Sequence, residues 1–225
     1  MTTLAQIADR AQRALSDGLA GTWSQTDIEK WICEAILDYS THFPRTETET
    51  ISCTASTHAY DLATDYIDTI LVEYPKDEDP PEYLARLART HPSFWGNDGF
   101  YDIEPARQAG TQATLYISDT PTASEEIEHT YSAHHTVKLN SDSAITVPEY
   151  HEPILILYVL WAAYTERLSQ EEQGPDTTIH LMEQYRTAAQ TAWTHYQDAI
   201  TQAIKQQARG GITGPWRADI HDPIY

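Results

Sequence analysis

The spacing of the apolar residues changes twice along this chain of 225 residues. Before Thr48 and again after Val147 they recur at three- and four-residue steps, the period of an amphipathic helix, whereas between these points they follow the two-residue period of a strand. The pattern predicts an α+β fold, in which a helical bundle formed by the N- and C-terminal helices carries an inserted antiparallel β-rich domain. We assign residues 1–47 and 148–209 to the bundle, 48–147 to the inserted domain and 210–225 to an extended C-terminal arm.

The clearest local signal is the start of the second predicted helix. Ser24, followed three residues later by Asp27, forms an acidic variant of the capping box, and Trp23 before the cap is placed to act as a hydrophobic staple. The apolar face that follows ends before Pro44. A shorter apolar stripe precedes this helix and stops near Gly18. We therefore expect two N-terminal helices that form a helical hairpin.

The middle of the chain supplies the strands and most of the acidic charge. Six segments are candidate strands: ETISCT, HAYDL, YIDTILVEYP, ATLYISD, EEIEHTYSAHH and AITV. Residues 77–97 are predicted to form a long excursion, with a helical turn at 82–88. Of the 14 basic and 34 acidic residues in the chain, residues 51–150 contain 5 and 17, so this region differs from both flanks in charge.

Two further helices follow the strands. Pro148 is suited to the first position of a helix, and the segment after it is apolar on nearly all sides, which predicts a centrally buried helix. Gly174 and Pro175 break this helix, and Asp176 can cap the next one. The last apolar stripe continues to the Gly210–Gly211 pair, so a second helical hairpin with a long last arm is expected.

The final segment, residues 210–225, is punctuated by glycine and proline and cannot continue the helix. It nevertheless carries large apolar side chains that a purely solvating tail would not need. We expect it to dock on a partner; the alternative is that it folds back over its own last helix. The residues assigned to docking are Gly210 and Gly211 at the exit from the bundle, Trp216, Ile220 and Tyr225 as anchors, and Arg217 as a polar contact.

Charge and composition exclude several classes of protein. A net charge of −20 repels phosphate backbones, which argues against a general nucleic-acid binder. The N-terminal segment lacks the apolar core of a signal peptide, and the longest apolar run, 154–163, is about half of a membrane span. We therefore expect a soluble protein made in a cytoplasm. Cys33 and Cys53 are expected to be buried free thiols, with a disulfide as the less favoured alternative.

The sequence offers few candidates for chemistry. Walker A, GxSxG and HExxH motifs are absent from it. The acidic run 77–82 could hold a divalent cation, but a solvated loop is favoured. His134 and His135 are adjacent on a predicted strand and would point to opposite faces, and His180 and Glu183 share a helix face without the further ligands of a di-metal bundle. We expect no catalytic residue, cofactor or metal.

The six tryptophans divide into two groups. Those on apolar helix faces are predicted to pack in the core: Trp23, Trp31, Trp161 and Trp193. Trp95, in a loop, and Trp216, in the arm, are the candidates for anchors at an interface.

Four segments follow one another in a recognisable order: WSQTDIEKWICEAILDYSTHFP, AYDLATDYIDTILVEYP with a Pro-rich loop after it, TLYISDTPTASEEIEHTYSAHH, and ITVPEYHEPILILYVLWAAYTERL. This order resembles the head-to-tail adaptor proteins of tailed viruses, also called connector or head completion proteins. In that family a helical bundle carries a β-domain inserted between its first and last helices. A strand leads into a Pro-started helix through a junction that is represented here by residues 147–150.

The resemblance implies a structural virion protein and not an enzyme. Its members form a homo-oligomeric ring in the neck of the virion, usually of twelve copies, which docks on the portal protein and provides the attachment platform for a tail or neck protein. DNA passes through the channel without sequence-specific binding, and no membrane is involved. Two other hypotheses stay open: another neck, tail-completion or scaffold component, and a metal-dependent hydrolase that uses the acidic insert.

Overall fold

The computed structural model describes residues 2–16, 23–108, 111–136, 144–173 and 179–211. The chain divides into two units, one formed by residues 1–42 together with 136–225 and the other by 43–135. The first unit contains the α-helices and the second contains the strands. The predicted α+β fold, with helices at both ends and an inserted β-rich region, is therefore confirmed.

Local capping positions the second helix of the helical unit. The helices are α1 (Leu4–Ser16), α2 (Gln25–His42), α3 (Glu152–Gln173) and α4 (Ile179–Gly211). The Ser24 hydroxyl accepts the backbone N–H of Asp27 at 3.2 Å, so Ser24 caps α2 as predicted, and the same hydroxyl donates to the Asp27 carboxylate at 2.6 Å. Trp23, just before it, packs edge-on against Tyr164 of α3, with 6.3 Å between ring centroids.

The N-terminal residues pair with the segment that precedes α3. Thr3 and Ala144 form an isolated antiparallel bridge, and the Ile145 N–H donates to the Thr2 carbonyl at 3.0 Å. The prediction of a sheet strand at AITV is therefore wrong, because this segment belongs to the helical unit, where it contacts the N-terminus instead of another strand.

Helix α3 begins one turn later than predicted. Pro148 has extended backbone angles (φ −60°, ψ 141°) and precedes a single 3-10 turn at Glu149–His151, after which α3 begins at Glu152. Leu155 and Val159 are fully buried, but Leu157 on the same helix is only half-buried. The helix is thus central, packing against α1, α2 and α4, without being enclosed on all sides as predicted.

The β-rich unit contains two sheets. Its strands are β1 (Arg45–Ser52), β2 (Ala59–Asp61), β3 (Tyr66–Glu73), β4 (Ala85–Arg86), β5 (Phe100–Glu104), β6 (Thr114–Ile117) and β7 (Glu126–Ala133). One sheet has the order β1-β7-β3 and the other the order β2-β6-β5-β4. All strand pairs are antiparallel except β4 with β5.

Two features of this unit depart from the sequence expectation. The helical turn predicted at 82–88 is wrong, because Ala85 and Arg86 instead form the short strand β4. Its partner β5 was missed, yet the Ala85 N–H donates to the Gly99 carbonyl at 2.8 Å and the Leu87 N–H to the Tyr101 carbonyl at 2.9 Å. The backbone partners available from β5 therefore decide the conformation of this segment.

Strands of both sheets contribute to one apolar core in the β-rich unit, which includes Val72, Leu115, Ile117 and Ile127. Cys53 belongs to this core, whereas Cys33 lies on α2 in the helical unit. Both cysteines are buried and free, as predicted. Burial raises the pKa of each thiol, which keeps both protonated and unreactive at neutral pH.

Candidate interaction surfaces

An open groove of about 520 Å³ lies between α2 and α4 in the helical unit. We call it the α2/α4 groove. Its lining includes Asp38 and His42 from α2 and Trp193, Tyr196, Ile200 and Ile204 from α4. These residues reach the same groove because they recur at three- and four-residue steps along each helix. The groove therefore combines apolar side chains with a carboxylate and an imidazole.

A hydrogen bond at this groove joins the two helices. The Tyr196 hydroxyl donates to the Asp38 carboxylate. Burial, together with this hydrogen bond, raises the pKa of Tyr196, so the phenol stays protonated and continues to donate. The rings of Tyr158 and Tyr196 lie 5.5 Å apart, and Trp161 and Trp193 lie 4.7 Å apart, so aromatic rings continue from the groove across α3.

Several apolar side chains of the helical unit remain in contact with solvent. Ile204, in the groove lining, is 44% exposed, and Leu37, on α2 outside that lining, is 47% exposed. Trp161 and Trp193 are half-buried, whereas Trp31 is buried as predicted. The last predicted apolar stripe includes Ile204, whereas Leu37 was not singled out from the sequence. Such a surface is suited to packing against another protein chain.

The β-rich unit also contains a hydroxyl–imidazole–carboxylate chain of the kind that hydrolases use. The Thr69 Oγ1 atom lies 3.1 Å from Nε2 of His129, and Nδ1 of His129 lies 2.9 Å from the Glu49 carboxylate. His129 is fully buried and stacked on Tyr131, and burial lowers its pKa although Glu49 acts in the opposite direction. Tyr66 also hydrogen-bonds the Thr69 hydroxyl at 3.1 Å. These side chains satisfy one another's hydrogen-bonding groups inside the sheet. The chain of contacts therefore has a structural role in the fold.

The candidate metal ligands do not come together among the described residues. No group of three or more histidine, cysteine, aspartate and glutamate side chains that could hold a metal ion is found in that part of the chain. His180 lies 2.9 Å from the Gln184 amide nitrogen. His134 and His135 were expected on a strand, but β7 ends at Ala133, and His135 is buried and hydrogen-bonded to the Phe43 carbonyl at 2.9 Å.

The family model described as SU10 adaptor protein matches residues 2–219, nearly the whole chain. The chain belongs to the SU10 adaptor protein family. This membership agrees with the head-to-tail adaptor resemblance at the level of an adaptor protein. No curated protein matches the chain.

The predicted docking residues of this SU10 adaptor lie at and beyond the end of α4. Gly210 and Gly211 are the last two residues of that helix, so the helix continues two residues into the segment that was predicted to be extended, and that boundary was wrong. Trp216, Arg217, Ile220 and Tyr225 lie outside the described residues, so docking by the arm remains a prediction. Among the described helices of the adaptor, none has the length and apolar content needed to cross a membrane.

Proposed function

We propose that this SU10 adaptor is a structural virion protein that forms a ring between the portal and the tail of a tailed virus. In this proposal the ring docks on the portal, provides the platform on which the tail attaches, and encloses a channel for DNA. Family membership supports the adaptor role. The observation that carries the ring is the α2/α4 groove, whose lining includes the half-buried Trp193 and the exposed Ile204, since an open groove with apolar lining is suited to a second chain.

The ring closes through contacts between neighbouring helical units. A groove on one copy that receives a different surface of the next copy makes a heterologous contact, and such contacts generate rings when the rotation closes. If the resemblance holds, the ring has the rotational order of the portal, usually twelve. Each copy carries a net charge of −20, so free copies repel one another and assembly waits for the portal as a template.

The C-terminal arm and the β-rich unit receive different partners in this proposal. The C-terminal arm leaves α4 at Gly210 and Gly211 and docks on the portal through Trp216, Ile220 and Tyr225. Large apolar anchors of this kind offset the entropy that a segment loses when it orders on binding. The β-rich unit lies on the outer or tail-proximal side of the ring, where its acidic, loop-rich surface is suited to face solvent or the tail or neck protein.

Native mass spectrometry of the full-length protein, with and without the purified portal, tests the ring. We expect a closed ring of the portal's order with the portal present. Ile204→Asp, in the α2/α4 groove, should abolish the ring by adding a charge to the contact. Ile179→Asp is the matched control, because Ile179 is exposed on the same helix outside the groove lining. A single copy bound to the portal would contradict the ring, and an assembly that ignores the portal would favour another neck or scaffold component.

A further inference from the structure

The loop formed by residues 88–99 in the β-rich unit contains an exposed tryptophan whose ring packs against two neighbouring aromatic rings. Trp95 is 54% exposed, whereas the preceding Phe94 is 0% exposed. The Phe94 ring meets the Trp95 ring edge-on with 4.8 Å between centroids, and His58 meets it edge-on at 5.4 Å. Trp95 is thus supported by two neighbouring rings while more than half of its surface remains in solvent.

Hydrogen bonds and a cation–π contact hold the first part of this loop against β5 and β6. The Arg89 N–H donates to the Asp102 carboxylate at 2.9 Å, and the Arg89 guanidinium donates to Glu104 at 2.8 Å. The same guanidinium lies over the Tyr116 ring, 3.7 Å from its centroid. The hydrogen bond from Arg89 is the main cause that lowers the pKa of Glu104, so this carboxylate stays charged and the contact persists at neutral pH.

The rest of the loop is fastened by its own backbone and by one aspartate. The His91 N–H donates to the Ala88 carbonyl at 2.8 Å, and the Phe94 N–H to the His91 carbonyl at 3.0 Å. At the end of the loop the Gly99 N–H donates to the Asp119 carboxylate at 3.0 Å, and Gly99 has a φ of +90°, which only glycine adopts without strain. The loop is therefore held in one conformation before any partner binds.

A preformed loop that exposes a tryptophan has the properties of a binding anchor. Tryptophan is enriched among the residues that contribute most to protein–protein affinity, because its large ring fills a pocket on the partner. Ordering the loop in advance removes part of the entropy cost of binding. Phe94 takes the buried position in this loop, whereas more than half of the Trp95 side chain stays available to a partner.

The charge of the region that contains Trp95 indicates which kind of partner it can bind. Arg89 and Asp98 balance each other within the loop, but the region around it in the sequence, residues 51–150, carries 17 acidic side chains against 5 basic ones and is strongly acidic overall. A second copy of the chain would bring the same acidic surface and be repelled. A partner whose pocket is rimmed by lysine and arginine would be attracted.

We propose that loop 88–99 is a docking element whose Trp95 side chain fills an apolar pocket, rimmed by basic residues, on the tail-side neck protein. The proposal rests on the proposed function, which places such a protein next to the β-rich unit. It adds the residue that makes the contact and the chemistry of the surface that receives it.

Binding of the full-length adaptor to the purified tail-side neck protein of the same virus, measured by biolayer interferometry, tests this inference. Trp95→Ala should weaken the binding at least about 30-fold, the effect of removing a dominant anchor. Tyr83→Ala is the matched control, because Tyr83 is an equally exposed aromatic residue of the same unit outside the loop; it should change the affinity less than about threefold. Raising the salt concentration should weaken the wild-type complex, since the rim contacts are ionic.

The outcomes separate this inference from the proposed function. Wild-type affinity in Trp95→Ala, or an equal loss in Tyr83→Ala, overturns the docking role while leaving the adaptor role intact. Failure of the wild-type protein to bind either the neck protein or the portal overturns both. Should Trp95→Ala unfold, Trp95→Phe keeps a ring beside His58, and we then expect a smaller but clear loss of affinity; unchanged binding by the Phe variant would refute the inference.

Discussion

Replacing Arg10 with methionine should destabilise the helical unit through a carboxylate on another helix. The Arg10 guanidinium on α1 lies 2.5 Å from Oε2 of Glu152, the first residue of α3. The Glu152 side chain is 3% exposed and the Arg10 side chain 48% exposed. The other carboxylate oxygen, Oε1, has no hydrogen-bond partner among the residues that the structure describes. Without Arg10, a buried negative charge would lose the cation that compensates it.

The size of the effect follows from this burial. Removing one partner of a buried ion pair costs about 3–5 kcal/mol, because the remaining charge is left uncompensated. Since Arg10 is about half in solvent, which screens the pair, we expect a loss of about 2–3 kcal/mol in the free energy of unfolding. For a chain of this size each 1 kcal/mol lowers the melting temperature by about 2–4 °C, so Arg10→Met should melt about 4–12 °C below the wild type.

Thermal melting followed by circular dichroism at 222 nm measures this loss in four proteins: the wild type, Arg10→Met, Glu152→Gln and the double variant. Glu152→Gln keeps the shape of the side chain and removes its charge, and Arg10 can then turn towards water, so this variant should lose only about 1 kcal/mol. The double variant should be more stable than Arg10→Met alone, because no buried charge is left unpaired. If the two single losses simply add in the double variant, the two residues are not coupled and the reasoning fails.

The arm, the insertion and a buried imidazole each provide a further test. Truncation after Gly211 should abolish attachment to the portal in co-sedimentation with an almost unchanged melting temperature; a large fall in that temperature with attachment retained would show that the arm folds back on its helix. Replacing residues 43–135 with a short Gly/Ser bridge should leave the helical circular dichroism largely intact, whereas global unfolding would show the insertion to be integral. Burial lowers the pKa of His129, so below about pH 6.5 the unfolded chain binds a proton that the folded unit resists, and the free energy of unfolding should fall as the pH falls. His129→Gln should flatten this dependence in urea titrations, and an equal slope in both proteins would contradict it.

Much of the fold was predictable because its signals are local. The capping contact between Ser24 and Asp27 spans three residues, and the change from helical to strand spacing identifies the inserted β-rich region. Strand β5 was missed because five residues, FYDIE, carry too weak an alternation to be distinguished from a loop. Its strand partners are β4 and β6, and the hydrogen bonds that make it a strand form only when the chain has folded.

By itself, the sequence determined the class of fold, the insertion, the absence of Walker A, GxSxG and HExxH motifs and the resemblance to an adaptor family. Only the tertiary structure decided which apolar residues remain exposed. Ile204 continues the helical stripe of α4 yet is 44% exposed, and Trp95 protrudes because Phe94 takes the buried position beneath it. Periodicity shows which side chains share a helix face, but exposure depends on how far neighbouring elements extend over that face, and this is set by contacts between residues distant in the sequence.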